Sequence, residues 1–448
     1  MKFCELAERI FQDILSHGGK VYIVGGSIRD MVMGIDNQKD IDVEVYHLSY
    51  QELHDILSQY GYVLTFGKSF AIMQLDNLRG YDFALPRKEI KVGNKHQDFD
   101  ILIDQDMALE KAILRRDLTM NALMYDYQNH TVIDLCNGLE DIKNKIIRCV
   151  NKDTFIEDPL RVLRIAQFIS RFDMKVDNDT FSLCCHMVKS GMLEHLSIER
   201  VYEEYSKILM APKPSLGFEF LKSIHALPFY LRDLVTTSQR LDYHPEGDVF
   251  THTMLVIDVA ALCKDKTDDP LSFMWACLLH DIGKPLVTTI DGHAPLHNEA
   301  GLKAFEQVKI IQSKKQRQYI STMILYHMHL MNMARNKGRD ISYLRLLKKI
   351  DGKVSLNDLI YVSRCDKLGR GKVSYEQYDM FDEFIKDKVN RLGNKAIEPI
   401  IDGNILIENG FKVKSMYKDI LNEAYDLQLQ GLNQESILRS LKKTYESR

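Results

Sequence analysis

A chain of 448 residues is too long for a single core, which stops growing beyond roughly 250 to 300 residues, so two to four domains are expected. Hydrophobic residues make up 45% and charged residues 27%, which excludes a largely disordered or fibrous chain. A formal charge of -4 excludes nucleic-acid binding through overall charge, so any polyanion needs a local basic surface.

Phe3, Leu6, Ile10, Phe11, Ile14 and Leu15 recur at helical spacing and Gly18-Gly19 supplies a stop, so an amphipathic helix opens the chain. Val21 to Val24 reads as a short strand. Gly25-Gly26-Ser27 turns from it into a short helix ending at Gly34, and Asp36-Asn37-Gln38 makes the next turn. From Asp40 the residues alternate: Asp40, Asp42 and Glu44 point one way and Ile41, Val43 and Val45 the other, as a half-buried strand requires. Runs at 62–66, 70–75, 81–85 and 131–135 complete a small mixed sheet. After about residue 150 helical periodicity takes over, giving an α+β fold, a head followed by an all-α body. Eight scattered cysteines without a CxxC pair read as reduced, buried small hydrophobes. No apolar run of membrane-spanning length occurs. A soluble cytoplasmic protein without a membrane partner is expected.

Two carboxylates at i and i+2 on a strand share one face and repel unless a cation sits between them. Mg²⁺ suits Asp40 and Asp42, because it takes oxygen ligands and keeps positions open for phosphate. Gly25 and Gly26 let the backbone approach a triphosphate, and Arg29 offers a bidentate phosphate contact. Alternating acidic residues alone are common on solvated strands. Together, GGSIRDMVMG, a turn and KDIDVEV resemble the signature of polymerase-beta-like nucleotidyltransferases, specifically the class holding bacterial CCA-adding enzymes and poly(A) polymerases.

RRDLTMNAL (115–123), EDPLRVLRIAQF (157–168) and IERVYEE (198–204) extend that resemblance in the family's order. It implies that Arg116, Asp117 and Asn121 hold the triphosphate and ribose. Asp158 and Arg161, i and i+3 on one helix, offer an acceptor beside a fork of donors. Cytosine and adenine present an exocyclic amine beside a ring acceptor, where uracil and guanine put a carbonyl, so such a pair accepts C and A. Asp158 before Pro159 is equally a helix cap, and both uses can coexist. Arg164 joins the nucleotide contacts, whereas Gln167 stands where the family usually carries another arginine. The stretch from Pro86 to Arg116 is about as long as the flexible segment of full CCA-adding members, which enzymes that add only CC lack.

His252, His280-Asp281 within LLHDIGKP, and Asp366 within RCDKLGRG match the H…HD…D pattern of HD phosphohydrolases. Lys284 falls at a phosphate-facing position after a turn at Gly283, and His297 and His327 fall where some HD proteins carry additional ligands. For His327 and His329 a core role is an equal alternative. HPEGDVFTHTML with PLHNEAG resembles the HD domain of multifunctional bacterial CCA enzymes. That implies phosphatase and 2′,3′-cyclic phosphodiesterase activity with a divalent transition metal or Mg²⁺. Basic clusters at Lys314, Lys315 and Arg317, at Arg335, Lys337 and Arg339, and at Arg345, Lys348 and Lys349 are solvated faces or a tRNA surface.

The expected domains are a nucleotidyltransferase head (1–150), a helical neck that reads the base and binds tRNA (151–235), an HD domain (236–380) and a helical tail (381–448). The expected activity is template-independent addition of CCA to tRNA from CTP and ATP by a monomer or homodimer. The alternatives are a poly(A) polymerase or A-adding enzyme of the same family, or an HD phosphohydrolase with a degenerate RNA-binding head. The absence of a long basic tail after Lys442-Lys443 favours the tRNA enzyme.

Overall fold

The computed structural model describes residues 1–35, 40–66, 72–91, 99–242, 244–370, 375–411 and 414–445, so the expected turn at Asp36-Asn37-Gln38 and positions 70–71 lie outside them. The chain divides into two compact units, Met1–Ile208 with Leu216–Ala226, and Leu209–Ser215 with Leu227–Arg448.

In the first unit the helix Glu5–Ser16 turns Ala7, Ile10, Phe11 and Ile14 inward, as their spacing requires. Among the described residues eleven strands follow: β1 (Lys20–Val24), β2 (Ile41–Tyr46), β3 (Val63–Phe66), β4 (Ile72–Leu75), β5 (Tyr81–Ala84), β6 (Arg87–Lys91), β7 (Phe99–Ile103), β8 (Met124–Asp126), β9 (Thr131–Ile133) and the short pair β10 (Ile146–Ile147) and β11 (Lys175–Val176). Seven form one sheet in the order β3-β4-β5-β2-β1-β8-β9, and β6 pairs with β7 separately. Only β2 and β5 run parallel in the seven-stranded sheet; the other pairings are antiparallel. Along β2, Ile41, Val43 and Val45 are buried while Asp42 is exposed and Glu44 half-buried. Both faces of β1 are covered: Val21 and Ile23 join one apolar cluster with Ile10 and Phe11, and Tyr22 and Val24 join another with Tyr46 and Met124. Each fully buried aliphatic side chain there contributes about 1.5–3 kcal/mol.

The short helix Gly26–Val32 is held by charge as well as packing. Asp30, 1% exposed, accepts from Arg29 Nε at 2.8 Å and Nη2 at 2.6 Å through Oδ1, and from Arg171 Nη2 at 2.8 Å through Oδ2. Removing one partner of such a buried cluster strands the remaining charges. Asp30→Ala is therefore expected to cost about 3–5 kcal/mol in unfolding free energy, measured by urea denaturation. The helix Leu160–Phe172 carries the remaining candidates of this unit.

The second unit is helical. Its Pro270–Leu279 helix is apolar all round, with Phe273, Trp275 and Leu278 at zero exposure, so it runs through the centre of the unit. The helices Val249–Ala261, Lys314–Tyr326 and Leu356–Leu368 pack around it. Further on, Leu406, Phe411, Ile420, Ile437 and Leu441 make a separate small core.

No helix among the described residues is long and apolar enough to cross a membrane. All eight cysteines are free thiols, but only Cys149, Cys184, Cys277 and Cys365 are buried. Cys4 is exposed, correcting the expectation of burial for all eight; it precedes the first helix, outside its apolar stripe.

Candidate active sites

The first site begins at the turn after β1. Gly25 holds φ +78°, and a Cβ there would lie 3.0 Å from Asp42 Oδ2 and 3.7 Å from Arg116 Nη1, so glycine serves both the backbone and the space. Val24 is the register partner of Asp42, which opens the turn onto that carboxylate. On the other side β5 brings Asp82 level with Asp42, and Gln74 Nε2 donates to Asp82 Oδ1 at 2.5 Å. Desolvation in the crevice, then Asp82, Glu44 and Asp40, push the Asp42 carboxyl up to about 6, with Arg116 pulling it down. A carboxyl that its crowded neighbours hold back from ionisation sits where a divalent cation fits. Asp40 stands exposed just ahead of β2 and acts on Asp42 through its charge.

Asp42 and Arg116 border two adjoining crevices. One is bounded by Glu44, Asp82, Leu85 and Arg87. The other gathers Gly25, Gly26, Arg29, Asp117, Asn121, Asp158, Arg161 and Arg164, adds Arg200, and, like the first, is not lined by Asp40. A linked network lines it. Arg116 Nη2 donates to Glu44 Oε1 at 2.9 Å. Asp117 Oδ1 accepts from Leu118 N at 2.8 Å and Asn121 Nδ2 at 3.0 Å, and Oδ2 accepts from Arg164 Nε at 2.7 Å. Against the desolvation of its site, these donors hold the Asp117 carboxyl below its ordinary value. Arg29 Nη1 donates to Asn121 Oδ1 at 2.6 Å, and the guanidinium lies 5.1 and 5.0 Å from the Phe168 and Phe172 rings. With its fork committed to Asp30 and Asn121, Arg29 presents the crevice chiefly with positive charge.

Asp158 Oδ1 accepts from Leu160 N at 3.1 Å and so holds the first residue of the helix, although the cap position itself falls on Pro159 and not on Asp158 as expected. Arg200 Nη2 also meets the carboxylate, at 3.2 Å from Oδ1 and 2.9 Å from Oδ2. Arg161 donates from Nη1 to Thr154 O at 2.6 Å and from Nη2 to Arg115 O at 2.8 Å. Asp158 and Arg161 thus share the crevice while each is anchored to a different partner. Gln167 is buried on the same helix, and the following arginine, Arg171, is the one bound to Asp30.

The second unit holds the other site. The helix Pro270–Leu279 delivers His280 and Asp281 at its C-terminal end, Val249–Ala261 carries His252, and Leu356–Leu368 carries Asp366. His252 Nε2 lies 3.1 Å from Asp366 Oδ1 and 3.7 Å from Asp281 Oδ2, and His280 Nε2 lies 3.1 Å from Asp281 Oδ2. The opposite oxygen, Asp281 Oδ1, faces His297 Nε2 at 3.2 Å and His327 Nε2 at 3.8 Å. His280 Nε2, His297 Nε2 and both Asp281 oxygens are buried without a hydrogen-bond partner. Converging ligand atoms with no aligned proton between them suit a cation, and the two faces of Asp281 each gather histidine nitrogens. Burial, and then the charge of His280, push His327 down to about 3, leaving a neutral ring. His329 stands apart, edge-on to Tyr326 at 4.8 Å.

Lys284 is buried, ion-paired with Asp281 Oδ2 at 2.6 Å and donating to Gln239 Oε1 at 2.6 Å, and it lines the cavity with Arg335 and Arg370. Gly283 has an ordinary φ of -83°, so its role is space and not an unusual turn. A Cβ there would meet His297 O at 2.1 Å and Gly301 N at 2.2 Å, both backbone atoms. Gly283→Ala is expected to displace the His297–Gln307 helix, destabilise the unit by about 1–3 kcal/mol and weaken metal binding, read by thermal unfolding and metal analysis. Two of the basic clusters have local partners: Arg317 donates to the carbonyls of Phe305, Val308 and Ile311, and Arg345 pairs with Asp426.

The Poly A polymerase head domain matches residues 21–148, the probable RNA and SrmB-binding site of polymerase A matches 173–235, and the HD domain matches 249–371. A multifunctional CCA protein of Laribacter hongkongensis is 33% identical over 363 residues, covering 78% of this chain and 85% of the relative. That of Pseudomonas fluorescens is 31% identical over 405 residues, covering 88% and 94%. Against that of Aromatoleum aromaticum the identity is 38% over 269 residues, spanning 59% of this chain and 63% of the relative's length. In fold the chain is similar to the Bacillus stearothermophilus CCA-adding enzyme in complex with CTP, with a TM-score of 0.67, 18% identity and coverage of 99% and 98%. The Thermotoga maritima CCA-adding enzyme complexed with tRNA gives a TM-score of 0.59 at 19% identity, covering 99% and 96%. Identity and coverage of full-length relatives on this scale establish kinship: the chain belongs to the family of multifunctional CCA proteins.

Proposed function

We propose that this protein builds and repairs the 3′-terminal CCA of tRNA from CTP and ATP without a nucleic-acid template, and that its HD domain hydrolyses phosphate esters, including 2′,3′-cyclic phosphates. The observation that carries the polymerase reading is a single crevice in which a glycine turn, Asp42, the Arg116 and Asp117 network and Asp158 stand together.

Asp42 with Asp40 and Asp82 would hold Mg²⁺. When bound, the metal lowers the pKa of the attacking 3′-hydroxyl and stabilises the leaving pyrophosphate. Gly25 and Gly26 leave room for the triphosphate, and Arg29, Arg116 and Arg164 surround it with positive charge. Asp117 and Asn121 position the ribose and the α-phosphate side of the nucleotide. Asp158 accepts from the exocyclic amine of cytosine or adenine, while Arg161 donates to the ring nitrogen. A carbonyl at the amine position, as in uracil or guanine, would face the carboxylate and be rejected. Anchoring by Leu160 N, Thr154 O and Arg115 O keeps that reader rigid.

In the HD site His252, His280, Asp281 and Asp366 would hold a divalent transition metal or Mg²⁺, with His297 and His327 available on the other face of Asp281. Lys284 supplies charge toward the substrate phosphate. The protein works in the cytoplasm, as a monomer or homodimer.

The test uses a tRNA transcript lacking CCA and CTP as sole nucleotide. Addition of two C residues, followed by one A once ATP is supplied, is expected. Incorporation only of A, or runs of A on any RNA, would assign the chain to A-adding or poly(A) chemistry instead.

A further inference from the structure

Three histidines of the HD cluster are oriented in one way. His280 Nδ1 pairs with Cys277 O at 2.7 Å, His297 Nδ1 with Ala294 O at 2.9 Å and His327 Nδ1 with Ile324 O at 2.8 Å. A carbonyl can only accept, so each Nδ1 carries the proton and each Nε2 turns a lone pair toward the cluster. His252 departs from this pattern. Its Nδ1 is buried, with no backbone carbonyl and no aligned hydrogen bond; the nearest acceptor is Glu246 Oε1, at 2.9 Å, while its Nε2 meets Asp366 Oδ1 at 3.1 Å. The same oxygen accepts from His244 Nδ1 at 2.8 Å, and His244 lines the HD cavity.

Local sequence explains how the carboxylate gets there. Gly247 at φ +96° reverses the chain between Glu246 and Asp248, and Asp248 then caps the His252 helix by accepting from Thr251 N at 2.8 Å. Gln239 N donates to Gly247 O at 2.8 Å and fixes the turn from the other side. The Glu246 side chain is left 4% exposed, inside the unit.

We infer that Glu246 is a positioning residue of the HD centre, whose carboxylate selects the His252 tautomer that offers Nε2 to a metal and anchors His244 at the cavity wall. This rests on the reading that the His and Asp cluster holds a metal. An anionic acceptor makes His252 a more basic ligand than the three rings held by neutral carbonyls, so the half-site around His252, His280 and Asp366 binds its ion the more tightly.

The experiment uses the full chain, metal-free, with Asp42→Asn in every sample to silence the head, and titrates Mn²⁺ by calorimetry. Glu246→Ala is expected to weaken the tightest Mn²⁺ site by about 10- to 100-fold with the number of ions unchanged. The isosteric Glu246→Gln, which keeps an acceptor and loses the charge, is expected to weaken it by about 3- to 10-fold and carries the test should the alanine variant not fold. In ¹⁵N spectra of the metal-free protein, His252 is expected as the Nδ1-protonated tautomer in the parent and as a mixture in the alanine variant. Unchanged affinity in either Glu246 variant overturns the inference, as does loss of a whole ion, which would make Glu246 a ligand. His280→Ala separates the levels. If it too binds Mn²⁺ normally the metal reading fails, whereas its loss of binding beside a normal Glu246→Ala removes only the positioning role.

Discussion

Asp42→Asn is expected to lower CMP and AMP transfer to tRNA by at least ~10³-fold, because it removes the carboxylate that both crevices share and around which Asp82, Glu44 and Asp40 crowd. Stability should move the other way. A carboxyl whose folded value is raised from 3.8 to about 6 favours folding when protonated, so its contribution is present below about pH 4 and lost as the pH rises to about 6. Asparagine imitates the protonated form at every pH. The variant should therefore melt no lower than the parent near neutral pH without metal, with the difference closing toward about pH 4. Extension assays beside thermal unfolding across that window read both effects. A variant keeping a tenth of the parent rate would contradict the assignment.

Asp281→Asn is expected to abolish the phosphohydrolase, by on the order of 10³-fold, and to leave nucleotide addition within about two-fold. Asp281 faces histidines with both of its oxygens, so its loss removes charge from both faces of the cluster at once. The nucleotide crevice is lined wholly by the first unit. Phosphate release, bound metal by elemental analysis, and CMP transfer measured on one preparation separate the two activities. Hydrolysis that survives with full metal content would locate the chemistry elsewhere.

Local pattern made much of this legible. The 2-residue alternation at Asp40 to Val45 gives β2 and its inner face, and the helical spacing from Phe3 to Leu15 gives the first helix. Asp82 was not legible, because YDFA reads only as a strand; its pairing level with Asp42 is a long-range register that no short window contains. The role of Arg200, within the quoted IERVYEE segment, was hidden in the same way, since its contact with Asp158 spans 42 residues. Gly283 shows a different limit: the residue stands out in the sequence, but tight packing against His297 O, and not a turn, is what excludes a side chain. For His327, a core role and a ligand role were equal on sequence; its Nδ1 contact with Ile324 O and its approach to Asp281 favour the ligand. The Arg29 fork was expected to face phosphate, and adjacent Asp30 holds it because both are buried in one short helix.

The most direct measurement is a crystal structure of the full chain grown with CTP and Mn²⁺, with the metal located by its anomalous signal. The expected map has manganese at Asp42 beside Asp40 and Asp82, the triphosphate along Gly25 and Gly26, and the cytosine amine at Asp158. Manganese absent from Asp42, or a cytosine seated away from Asp158 and Arg161, would contradict that reading of the crevice.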